Sequence, residues 1–170
     1  GMQIGVKNAV VENNYVHHAT TEGILITGAN VTLQSNDASG NQYYCYEITG
    51  YNAENVTLNG NTARDCHTGV YVHGGAANIT ITSNSFQNTS YRGIYLYDYV
   101  YGQVKMTNNN LCASNASDYD VIIDALPSSI IVSGNSCHQN KCYNYYPWKD
   151  ELKSFCLPEG SRVGNCSTIC

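Results

Sequence analysis

Between residues 8 and 136, short runs of alternating apolar and polar residues recur as one phrase, beginning at Asn8, Asn30, Asn55, Asn78, Gln103 and Ser129. Two copies read Asn30-Val31-Thr32-Leu33-Gln34-Ser35-Asn36 and Asn55-Val56-Thr57-Leu58-Asn59-Gly60-Asn61, and the spacings between starts are 22, 25, 23, 25 and 26 residues. Period two places Val31/Leu33, Val56/Leu58, Ile79/Ile81, Val104/Met106 and Ile130/Val132 on one face of a strand, with Thr32, Thr57, Thr80 and Lys105 on the other. Each phrase closes on an Asn (14, 36, 61, 84, 109, 135) and continues through one apolar residue, Val16, Ala38, Ala63, Phe86, Leu111 or Cys137. A second alternating run follows: Ile24–Gly28, Tyr46–Gly50, Val70–Gly74, Ile94–Asp98 and Val121–Asp124.

The period and the β-branched content exclude helices, and the two kinds of run are not joined by two-residue turns, which excludes hairpins. A repeat of this length made of strands is satisfied by a coil in which each repeat is one turn and like strands stack in parallel, ~4.8 Å apart. The Asn column then stacks inside the coil, where amide side chains satisfy one another and the backbone of a tight corner. The repeated Val/Ile-x-Leu/Ile-x-Gly/Ser-Asn and Gly-Ile/Val-x-Leu/Val phrases resemble the right-handed parallel β-helix superfamily, the pectate-lyase-like solenoids, over about residues 8 to 140. The expected fold is therefore all-β, a right-handed parallel β-helix of about six turns over 1–141, followed by a Cys-rich cap over 142–170. Within that cap Pro147 to Phe155 reads as a short amphipathic helix, with Trp148, Leu152 and Phe155 on one side. A solenoid exposes its core at both ends, so the N-terminal end is expected to be covered by preceding turns or by another subunit.

Composition narrows the partners. Only 12% of residues are charged, the net charge is −5, and the eight Lys and Arg are scattered, so no phosphate track can be neutralised and nucleic acid is not expected. The longest apolar runs are far short of the ~20 residues of a membrane span. The chain holds 21 Asn and six Asn-x-Ser/Thr sequons, at Asn30, Asn55, Asn78, Asn88, Asn115 and Asn165. Eight cysteines point to an oxidising, secreted or extracellular setting. Stacking makes Cys45 with Cys66 and Cys112 with Cys137 neighbours on adjacent turns, and the tail pairs as Cys142 with Cys156 and Cys166 with Cys170. A bound metal or other cofactor is not expected, because there is no Cys-x-x-Cys pair and the histidines are not spaced as partners.

The candidate chemistry lies on the outward positions of the second run. Leu25, Glu47, Tyr71, Tyr95 and Ile122 form one row; Thr27, Thr49, His73, Tyr97 and Asp124 form the next. Aromatic rings beside hydrogen-bonding groups suit a sugar surface, so the expected partner is a polysaccharide, bound by Tyr71, Tyr95, Arg92, Asp98 and Asp124. His73 and Tyr97 are the candidate base and acid for proton transfer, and Glu47 is the candidate catalytic carboxylate. The resemblance implies a lyase, hydrolase or epimerase type of activity, or the C-terminal part of such an enzyme. Those folds also serve as non-catalytic glycan-binding or structural modules, and that alternative stays open. Polyuronate lyases surround the substrate carboxylate with cations, whereas this groove offers only Arg92, which leaves a neutral glycan or a bridging calcium open. His17, His18 and His67, with Arg64 and Asp65, lie near the loops after the Asn corner and are expected to be solvated, with Arg64 and Asp65 pairing at the surface.

Overall fold

The inward pairs of the phrases set the architecture. The computed structural model describes residues 1–113, 120–125, 127–137 and 143–145, with 112, 113, 137 and 143–145 described as backbone alone. Every strand pairing is parallel, and the chain winds through three sheets in turn. Sheet A has seven strands: Met2–Ile4, Glu22–Ile26, Tyr44–Thr49, Thr68–His73, Arg92–Asp98, Val121–Ala125 and Tyr143–Tyr145. Sheet B holds the six phrase strands, Ala9–Glu12, Val31–Gln34, Glu54–Asn59, Ala77–Thr82, Tyr101–Thr107 and Ser129–Ser133. Sheet C is made of six short strands just after the Asn corner, among them Asp37–Ser39, Thr62–Arg64 and Ser85–Gln87.

This is the expected parallel solenoid, with about five turns where the phrase count gives about six, because six stacked strands enclose five steps. Sheet C goes beyond the two strand types read from the alternation. Its strands are two to four residues long, and the middle four bury one apolar side chain each, Ala38, Ala63, Phe86 and Leu111, too short a run to display a period. No helix occurs among the described residues, and hence none long and apolar enough to cross a membrane. The expected helix over 147–155, the side chains of Cys112 and Cys137, and Cys142, Cys156, Cys166 and Cys170 lie outside the described residues.

The core is one column. Val31/Leu33, Val56/Leu58, Ile79/Ile81 and Val104/Met106 from sheet B meet Ile24/Ile26, Tyr46/Ile48, Val70/Val72 and Ile94/Leu96 from sheet A, all buried. Phe86 fills the sheet C corner by lying against Gly69, where a Cβ would collide with its ring. That close approach explains the glycine before Val70, and Leu111 lies against Gly93 in the same way one turn on. Tyr46 is the polar member of the inward row. Its hydroxyl crosses to sheet C and donates between the carbonyls of Asn36 (3.0 Å) and Thr62 (2.9 Å), and burial pushes its phenol far above the usual range.

The closing Asn residues form the expected ladder. In each step, both the backbone N–H and the Nδ2 of one Asn donate to Oδ1 of the Asn one turn on, from Asn14 to Asn36, Asn61, Asn84, Asn109 and Asn135, at 2.8–3.1 Å. The second amide proton returns to the sheet B carbonyl behind it, as from Asn61 to Leu33 and from Asn84 to Leu58. Buried donors and acceptors are thereby matched at every corner. A second column stands at the opposite end of sheet B. Asn8, Asn30, Asn55 and Asn78 open their phrases in the left-handed region, with φ between 54° and 59°, which Asn tolerates better than most residues. Their exposed amides also chain, Asn55 Nδ2 to Asn30 Oδ1 and Asn30 Nδ2 to Asn8 Oδ1, each at 3.0 Å.

Cys45 and Cys66 are disulfide-bonded, across the sheet A to sheet C side of adjacent turns. Arg64 does not pair with its neighbour Asp65. It reaches Asp37 one turn back (3.0 Å), while Asp65 accepts from Nδ2 of Asn88 one turn on (2.7 Å). The correction follows from geometry: residues stacked on successive turns share one side of the coil, whereas Asp65 stands just past the strand with a left-handed backbone, φ 53°.

Candidate functional site

Sheet A presents its outward residues in the register expected from the alternation. Leu25, Glu47, Tyr71, Tyr95 and Ile122 are successive partners, and Thr49 pairs with His73 as Tyr97 does with Asp124. Because Glu47 is opposite Tyr71, it lies diagonally across from His73, two residues further along that strand. The diagonal is closed by a 2.6 Å contact between His73 Nε2 and Glu47 Oε1. With the carboxylate ionised, Nε2 carries the proton and donates it, and Nδ1 is left as the basic nitrogen. Glu47 is only 8% exposed, so its charge acts mainly on this imidazole and not on solvent.

Tyrosines enclose that pair. The Tyr71 ring stacks on His73 with centroids 4.3 Å apart and planes 20° from parallel. On its other sides Tyr71 meets Tyr44 at 4.6 Å, Tyr95 at 5.4 Å and Tyr97 at 6.4 Å, and Tyr95 touches Tyr97 at 5.6 Å. The faces of Tyr71 are thus largely taken up by neighbouring rings. Burial is the main reason its phenol is held well above the ordinary value, with Tyr44, Tyr95, Tyr97 and Glu47 adding to the shift. Tyr95 is pushed up to about 12, first by burial and then by the charge of Asp124. Both phenols are therefore neutral donors at neutral pH and not bases.

The remaining candidates sit at the margins. Asp124 continues the row after Tyr97, and Asp98 ends its strand exposed, with φ 58°. Arg92 is only 5% exposed: its guanidinium lies 3.9 Å from the centre of the Tyr91 ring and donates to the Tyr91 carbonyl at 2.6 Å. Ile122 is buried although its row faces outward, so the exposed part of the row ends at Tyr95. Tyr44 is a member that the alternation hides, since it shares the parity of the inward residues Tyr46 and Ile48 yet stacks on Tyr71. The Glu47–His73 contact was legible only as two polar outward residues on adjacent turns. Of the other histidines, His67 stacks on Tyr91 at 4.6 Å, and burial followed by the charge of Arg92 holds its pKa below the usual value. It borders a separate open cleft of about 350 Å³ with Asn41, Gln42, Asp65 and Asn88. His17 and His18 touch through their Nδ1 atoms at 2.6 Å, with Tyr15 stacked on His17. Among the described residues no three His, Cys, Asp or Glu side chains converge as a metal cage would require.

The sequence matches the right handed beta helix region family over residues 1–111, more than half of the chain. The chain belongs to that family. No curated protein and no solved structure matches it. Membership fixes the hand of this β-helix, in agreement with the rule that parallel crossovers are right-handed. It does not assign an activity, because a β-helix is a scaffold on which unrelated sites are carried.

Proposed function

We propose that this β-helix protein is an extracellular carbohydrate-active protein that receives a polysaccharide on the outer face of sheet A. The observation that carries the reading is the Glu47–His73 pair beside the stacked rings of Tyr71, Tyr95 and Tyr97. Glu47 fixes the imidazole tautomer through its contact with Nε2. His73 takes a proton through Nδ1, and Tyr97 returns one from the next turn. The hydroxyls of Tyr71 and Tyr95 supply the fixed donors that sugar oxygens need. Glu47 is a positioning residue in this scheme, since its carboxylate is engaged by the histidine.

The charges select among reaction types. Elimination and epimerisation act beside a uronate carboxylate, which here would meet Glu47, Asp98 and Asp124, while Arg92, the cation of this sheet among the described residues, is buried. An uncharged chain avoids that repulsion. Hydrolysis, with His73 drawing a proton from water and Tyr97 protonating the leaving oxygen, is the reaction the electrostatics favours. A non-catalytic glycan-binding module is the second reading, favoured by the mutual stacking of the rings, which also stabilises a plain sheet surface.

Glycan-array binding followed by product analysis on the hits tests the proposal. Binding to uncharged chains with release of new reducing ends is expected, and His73→Ala should lower turnover by roughly 10²–10⁴-fold with the fold intact. Binding without any product selects the module. An array without hits removes both readings.

A further inference from the structure

We infer that the corner between sheets A and B carries a second stretch of the glycan site, formed by Tyr51, Tyr99 and Tyr101 around Gly75; this rests on the carbohydrate reading of sheet A. Three successive turns meet at that corner. The turn after Tyr44–Thr49 exposes Tyr51, the turn after Thr68–His73 is Gly74-Gly75, and the turn after Arg92–Asp98 exposes Tyr99. Tyr51 is 76% exposed, Tyr99 57% and Tyr101 44%.

The middle turn has to lack a side chain. Gly75 has φ 100°, and a Cβ there would collide with ring carbons of Tyr51, so the Tyr51 ring lies across the glycine. The Gly75 N–H donates to the Tyr99 carbonyl at 2.6 Å, which ties the glycine turn to the next one. Tyr99 and Tyr101 stand 6.4 Å apart with planes 27° from parallel. The result is a Tyr51 ring seated on the glycine turn, with the Tyr99 and Tyr101 rings on the turn beside it.

The two aromatic clusters differ in what they leave open. On sheet A the Tyr71 ring is sandwiched, whereas the corner rings are far more exposed and can take the C–H face of a sugar ring. Tyr97, Asp98 and Tyr99 run consecutively from one cluster to the other, with the Asp98 carboxylate at the junction as an acceptor for sugar hydroxyls. One chain can therefore contact both: a unit over His73 is held by hydrogen bonds, and units further along are held by stacking. The ligand is then an extended uncharged oligosaccharide, and short sugars occupy only the sheet A part.

The test uses oligosaccharides cut from the array-positive polymer, from disaccharide to octasaccharide, titrated calorimetrically against the full chain. In the double variant Tyr51→Ala/Tyr99→Ala, octasaccharide affinity should fall roughly tenfold or more while disaccharide affinity is unchanged. Tyr95→Ala should weaken both lengths, and Tyr51→Phe, which keeps the ring, should bind like wild type. Unchanged octasaccharide affinity in the double variant overturns the corner site and leaves the sheet A reading standing. An equal loss at both lengths, together with a lowered melting temperature, overturns it as a folding effect. If the wild-type chain binds no glycan, the carbohydrate reading itself falls.

Discussion

At the scale of single residues, the closing Asn of each phrase does work that no other side chain can. Its one oxygen accepts two bonds from the turn before, while its two amide protons serve the turn behind and the turn ahead, so an acid, an alcohol or Gln each fails on charge, valence or length. Asn84→Ala leaves the Asn61 donors and the Leu58 carbonyl unmatched in a dry corner. A loss of about 1–3 kcal/mol is expected, read as a lower urea midpoint with an unchanged slope. An unaltered midpoint would mean that the column carries no net stability. This ladder was fully legible, since six closing asparagines at a near-constant interval leave few alternatives. The second column was visible as the recurrent opening Asn, yet its left-handed backbone was not. A φ value leaves no trace in a hydrophobic pattern, and only the tolerance of Asn for that region hints at it.

Among elements, sheets A and B were readable because each strand carries two or more inward apolar residues, enough to display a period. Sheet C was not, because one inward residue per copy has no period at all. The outward rows of sheet A were placed correctly by parity, yet contacts between turns depend on rotamers that parity does not encode, such as the diagonal reach of His73 to Glu47. The tyrosines of this sheet also give it a pH limit. An unfolded chain releases phenolic protons near ~10, whereas folded Tyr95 keeps its proton up to about 12, chiefly because it is buried. Between those values the unfolded state binds fewer protons than the folded one, so stability falls as pH rises through the window and is unaffected below it. In an alkaline titration, loss of the β circular dichroism signal should accompany the late part of the tyrosinate absorbance change. All tyrosines ionising near ~10 in a chain that stays folded would contradict the burial of this face.

For the whole molecule, the register of each turn is set by its neighbours alone, and this is why a single sequence row discloses the fold so readily and the activity so poorly. The fold is written many times over, while a site uses each of its residues once. The corner tyrosines illustrate the second case: Tyr51, Tyr99 and Tyr101 lie outside both alternating rows, and the left-handed Gly75 turn leaves room for the Tyr51 ring at that corner. The Asn column has a consequence of a different kind. Every rung presents the same acceptor backward and the same donors forward, so the column places no condition on which turn comes next, and the molecule's length is free to change by whole repeats. Ser83 and Asn108 share the same left-handed backbone, with φ 56° at each. Excising residues 84–108, a segment of 25 residues, would join Ser83 to Asn109 and hand the Asn61 donors to Asn109, while keeping the Cys45–Cys66 bridge. The shortened chain should unfold cooperatively, with a denaturant slope reduced in proportion to the surface removed, whereas excising half a repeat should abolish folding. A whole-repeat deletion that fails to fold would show that the turns are not interchangeable parts.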